Sequence, residues 1–231
     1  MAYSKSRSRK DFESQVALFK KYLRASQRRD IGHHIRSALL YSCIFQLCAS
    51  LEEYCKSLID SWIFEVRRSG LKIASMPERL RTYLLVSKQH GTYKSFCSSG
   101  DEKKLLDKLL IGNNNEFKLC NVNSPMIGFN SNIIYKGKSY PSPKNLRSVF
   151  NRLGIDDIFD EINRKTGRNY VDILRSFMDI REAIAHQAPP NLTPVDVDRY
   201  LEDLNIMTRT IDRVVYSHFS KSAGSSSWPS G

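Results

Sequence analysis

An all-helical bundle is the fold class this sequence predicts, and a few observations predict it. Apolar residues recur at steps of three and four almost from end to end, no strand–helix–strand alternation breaks the pattern, and no internal repeat appears. A chain of 231 residues is long enough for one well-packed core, so residues 1–221 read as a single helical domain and 222–231 as a flexible tail.

The elements follow in order. After Asp11, read as an N-cap, "FESQVALFKKYL" sets Phe12, Val16, Phe19 and Leu23 on one stripe. A longer helix, the spine of the domain, runs from about Ile35 to Arg68 with Ile44, Leu47, Cys48, Leu51, Cys55, Leu58 and Trp62 on one face and Gly70 as its stop. "MPERLRTYLLVSKQHG" reads as a helix from Pro77 to Gly91, and "GDEKKLLDKLLIG" as a short one between Asp101 and Gly112. The helical period fails over residues 113–142, an Asn/Gly-rich insertion in which "SNIIYKGKSY" has the punctuation of a small hairpin. Helix resumes in "SPKNLRSVFNRLG", "DDIFDEINRKTG" and "NYVDILRSFMDIREAIAH", and Thr193-Pro194 opens a last helix through about Phe219.

Composition narrows the function classes. Apolar residues at 41% and charged residues at 26% argue against disorder. The five cysteines are odd in number, and Cys43, Cys48 and Cys55 sit inside an apolar helical run as small buried side chains, which points to reduced cytosol. With no CxxC and no Cys/His spacing for zinc, no metal or other cofactor is expected. "MAYSKSRSRK" lacks the apolar core of a secretory signal, and "SALLYSCIFQLCASL" is too short and too interrupted for a membrane span, so a cytoplasmic chain without membrane contact is expected. The formal charge of +12 is concentrated in "SKSRSRK", "FKKYLRASQRR" and "HHIR", which attracts polyanions. Arg28, Arg29, His33, His34 and Arg36 form the candidate RNA-binding set, with a solvated helix start as the alternative.

One stretch, "DIREAIAHQAPP" over residues 179–190, stands apart. Ile173, Leu174, Phe177, Ile180 and Ile184 make the core stripe of its helix, while Arg175, Asp179, Glu182 and His186 make a polar one. Arg181 falls at the edge of the apolar face, where a fixed charge needs a partner, and Glu52 in "LCASLEEYCKSL" is the candidate. Taken singly, Arg181 could be half of an ordinary ion pair, and His186 a histidine favoured by the helix dipole.

Together, a helix ending in R-x-x-x-x-H, then a turn and one more long helix, resembles the signature of the HEPN superfamily. The residues carrying it are Arg181 and His186 in "MDIREAIAHQAPP". With "LTPVDVDRYLEDL" after it and "LCASLEEYCKSLI" before it, the chain is similar to the group named after RiboL-PSP proteins, over roughly Ile35 to Phe219 with the insertion outside. The resemblance implies a HEPN-like bundle and a metal-independent endoribonuclease whose site is assembled across a homodimer, with Arg181 and His186 contributed by each chain. It also implies a toxin or defence effector, with an antitoxin or another defence-system protein as candidate partner. The position after the arginine, often Asn, Asp or His in active members, is Glu182, which shares a face with His186 and could orient or charge the imidazole. The alternatives are a non-catalytic HEPN-like module that binds RNA, nucleotide or protein, and a helical adaptor with no nucleic-acid role.

The chemistry suits these residue types. RNA carries its own nucleophile, the 2′-hydroxyl, so cleavage needs a base, an acid for the leaving 5′-oxygen and positive charge for the phosphorane. One chain supplies one such histidine, and five helical residues subtend about 140°, so a cleft between two helix ends, or a distorted turn before Pro189, would bring the groups together.

Overall fold

The computed structural model describes residues 3–186 and 191–230, and the side chains of all of these but Lys88 and residues 110–117. Among them the helices are α1 (Arg7–Ser26), α2 (His33–Arg68), α3 (Glu78–Ser99), α4 (Glu102–Cys120), α5 (Ser131–Ile134), α6 (Pro143–Arg152), α7 (Ile158–Thr166), α8 (Tyr170–Ala185) and α9 (Pro194–Ala223). Short 3₁₀ turns stand at Ile73–Ser75 and Ser225–Ser227, and among the described residues no strand pairs beyond isolated bridges. No helix among the described residues is long and apolar enough to cross a membrane.

The spine is α2. All seven apolar residues assigned to its face are buried, and Trp62 stacks on Phe219 of α9 with ring centroids 3.8 Å apart. Around it pack α1, α8 and α9, with α7 closing on α9. Proline opens α6 and α9 as expected, and Thr193 and Asp196 form a capping box at the start of α9.

Several boundaries fall elsewhere than the sequence pattern suggests. α1 starts before Asp11, because the Ser6 hydroxyl accepts from the Arg9 N–H at 3.1 Å and caps the helix a turn earlier. α3 runs through Gly91 to Gly100, whose left-handed φ of 65° lets its N–H close on the Phe96 carbonyl. α4 continues past Gly112 to Cys120: packing against α3 and burial of Leu119 near its end outweigh the low propensity of the Gly-Asn run.

The small hairpin is replaced by the helical turn α5. Asp60 of α2 accepts from both the backbone N–H and the hydroxyl of Ser131, each at 2.6 Å, so the segment is drawn onto the spine instead of pairing with itself. The segment expected as a flexible tail is also docked as far as Ser230. Trp228 is 5% exposed, lies against Tyr3 and Tyr216, and donates its indole N–H to the Ser4 carbonyl at 2.9 Å. Nearby, Tyr3 and Ser6 donate to the buried Asp212, whose carboxyl burial pushes above the usual carboxylate range. Both ends of the described chain are thereby fixed to α9.

Candidate functional site

Helix α8 sets the geometry. Asn169 caps it, Leu174 and Phe177 are fully buried, and Phe177 meets Tyr200 of α9. Beyond Phe177 the helix rises out of the core. Ile173, Ile180 and Ile184, expected as core residues, are only partly covered. Met178 touches Cys48, and Arg181 touches Phe45, so numbering falls along α2 as it rises along α8 and the two helices run antiparallel. The basic start of α2 therefore lies at the same end of the bundle as His186, some 12 residues or about 18 Å of helix before Phe45.

The last turn of α8 is regular. The His186 N–H donates to the Glu182 carbonyl at 3.0 Å, the ordinary spacing of four, and His186 itself stands at the C-cap with φ −93° and ψ 17°, leaving the helical path there. Gln187 to Pro190, including the turn at Pro189, lie outside the described residues. His186 is 75% exposed at its side chain, and its Nε2 is 3.8 Å from Glu182 Oε1. That is an ion-pair approach without a hydrogen bond.

Arg181 does not pair with Glu52. Glu52 lies 2.6 Å from Lys56, one turn along its own helix. The local partner wins because the (i, i+4) spacing needs no tertiary adjustment. No carboxylate among the described residues lies within ion-pair distance of Arg181. Its guanidinium instead faces two rings, with the Tyr140 centroid 4.3 Å and the Phe45 centroid 5.6 Å from Cζ. Cation–π contact accommodates the charge while leaving N–H donors at the guanidinium edge uncommitted to any anion. The Cys48 thiol beside it is pushed up to about 11 by burial, with Arg181 pulling it down and Glu52 pushing it up.

Sequence reasoning missed both rings. Phe45 stands three residues before Cys48 on the edge of the α2 stripe, a signal that could have been used. Tyr140 carried none, because it reaches the site from the connection between α5 and α6.

A family model described as RiboL-PSP-HEPN matches residues 9–217. The chain belongs to that family. The match begins within α1 and not at Ile35, and it runs across the segment read as an insertion. Membership in the RiboL-PSP-HEPN family points to a ribonuclease or an RNA-binding effector. No curated protein and no solved structure matches the chain.

For a HEPN chain the remaining candidates divide clearly. Arg28 is engaged by Asp30, and Arg36 donates to the Ser26 and Arg28 carbonyls at the end of α1, which makes it a tie between α1 and α2. Arg29, His33 and His34 are exposed, with the two imidazoles edge to face at 6.0 Å. Among the described residues, no three His, Cys, Asp or Glu side chains gather as metal ligands would.

Proposed function

We propose that this HEPN chain is a metal-independent endoribonuclease acting as a homodimer, with Arg181 binding the scissile phosphate and His186 carrying the proton. The observation that supports this most is the state of Arg181: a guanidinium held against two aromatic rings, with no carboxylate partner among the described residues. Such a group is suited to a phosphate, whose oxygens match the guanidinium fork.

In the reaction one His186 takes the proton of the 2′-hydroxyl, which attacks the adjacent phosphorus. The 5′-oxygen leaves with a proton from the second His186, and a 2′,3′-cyclic phosphate remains. Arg181 offsets the extra negative charge of the phosphorane. Two chains are needed for this division of labour. Arg181 and His186 lie about 140° apart around one regular helix, so a facing copy supplies what a single helix cannot. Ile180 and Ile184 are only part-buried on α8, and Val195 is 76% exposed in the first turn of α9, so each leaves apolar area that such a copy would cover. Glu182, on the His186 face, steadies the protonated imidazole.

The test is incubation of the purified protein with single-stranded RNA in EDTA, with analysis of product ends. Cleavage leaving 2′,3′-cyclic phosphate supports the proposal. Binding without cleavage in EDTA contradicts it and leaves a non-catalytic RNA-binding module.

A further inference from the structure

Tyr140 joins properties that a packing residue has no need to combine. Its backbone sits at φ 59°, and it is the non-glycine residue with positive φ among those described. Side chains bearing a Cβ avoid this left-handed region, and where they occupy it the surroundings must hold them there. The Asn145 side-chain amide does so, donating to the carbonyls of Ser139 and, at 3.1 Å, of Tyr140. Asn145 is itself fixed in the first turn of α6, where its N–H donates to the Ser142 hydroxyl. The strain is not offset by core burial: Tyr140 as a residue is 47% exposed, and its ring covers a guanidinium. A bare connection would carry glycine or asparagine here.

We infer that Tyr140 is a nucleobase-stacking residue, in which the part of the ring left open beside Arg181 receives a base of the strand whose phosphate Arg181 binds. This rests on the proposal that Arg181 meets an RNA phosphate. The ligand class is single-stranded RNA, because paired bases hide their faces in the helical stack and unpaired ones offer them to aromatic side chains. Stacking needs a flat, fixed ring, and the backbone lock at Asn145 provides one. It does not need the phenol oxygen. The site then reads the strand at two points, charge at Arg181 and a ring face at Tyr140, and it favours strands whose bases stack strongly over those whose bases stack weakly.

The experiment measures binding of the full chain to a 2′-O-methyl oligoadenylate, which cannot be cut, and to inorganic polyphosphate, which has charge and no bases. Tyr140→Phe should leave both affinities unchanged. Tyr140→Gly should weaken oligoadenylate binding by roughly 5- to 100-fold and leave polyphosphate binding alone. Its melting temperature should stay close to the parent's, because relief of the backbone strain offsets the lost contact with Arg181. Tyr140→Asn, which tolerates the left-handed region, repeats the loss with more of the loop's stiffness retained. The inference is overturned if Tyr140→Gly and Tyr140→Asn bind oligoadenylate as the parent does. It is equally overturned if they lose both ligands together, which would make Tyr140 a support for Arg181 alone. A parent chain that binds neither ligand overturns the RNA reading of the site itself, and this inference with it.

Discussion

The Glu52 carboxylate lies 2.6 Å from the Lys56 ammonium, one turn further along α2, while Arg181 flanks the same Cys48 thiol with its guanidinium turned to Tyr140. The distinction between an arginine held by a carboxylate and one held by aromatic rings has measurable consequences. Arg181→Ala removes cation–π contacts and no ion pair, so stability should change by about 1 kcal/mol or less, while RNA cleavage falls by roughly 100- to 1000-fold. Glu52→Ala should cost about 0.5 kcal/mol and leave cleavage as it was. Denaturation and cleavage measured on both variants check this. Equal loss of activity in Glu52→Ala would restore Glu52 as the support of Arg181.

A glutamate at position 195 should separate assembly from folding. Val195 is exposed in the first turn of α9, where an acidic side chain agrees with the helix dipole, so Val195→Glu should keep the fold of each chain. A charge placed in an apolar interface should dissociate it. Light scattering is expected to give a dimer for the parent and a monomer for the variant, with cleavage lost in parallel. A parent that is monomeric at micromolar concentration would refute the two-chain site.

Salt dependence should locate the electrostatic contacts. Lys5 and Arg9 pair with Glu13, Lys20 with Glu202 and Arg28 with Asp30, so part of the early positive charge is matched within the fold. Arg29 is exposed beside the start of α2. Arg29→Ala should lower the slope of log affinity for RNA against log salt by about 0.7 to 1. An unchanged slope would remove Arg29 from the contact surface.

His218 gives a pH dependence unconnected with cleavage. Burial pushes its imidazole below the ordinary 6.5, against the help of the Leu153 carbonyl, to which Nε2 donates at 3.1 Å; Lys221 lowers it further and Asp156 raises it. The folded chain thus takes up this proton less readily than the unfolded one. The contribution to stability is fully present above 6.5 and is lost as pH falls through the depressed folded value. Chemical denaturation at a series of pH values should show stability declining on acidification below 6.5, and His218→Gln should flatten that decline. The same decline in both proteins would assign it elsewhere.

Local patterning made much of this fold legible. The α2 stripe from Ile44 to Trp62 is buried as the period requires, and the caps at Ser142 and Thr193 fall where Pro143 and Pro194 announce them. What depends on contacts distant in sequence was not legible. Asp60 turns the hairpin-like "SNII" into α5 from 71 positions away, and Trp228 docks on Tyr3 across nearly the whole chain. The Arg181 and His186 pattern of the candidate site was readable because its spacing is local to one helix. Its aromatic setting was not: Tyr140 arrives from a connection whose backbone conformation no periodicity encodes.

His186 is the proposed proton carrier. It sits at the C-cap of α8, its side chain is 75% exposed, and Glu182 approaches it at 3.8 Å, so little folding energy depends on the imidazole. Cleavage of single-stranded RNA by His186→Ala, measured in EDTA beside the melting curve of the same sample, tests whether His186 carries the proton. The variant's stability should lie within about 1 kcal/mol of the parent's, and its cleavage rate should be lower by roughly two to four orders of magnitude. A folded His186→Ala that cuts RNA as fast as the parent would contradict that role.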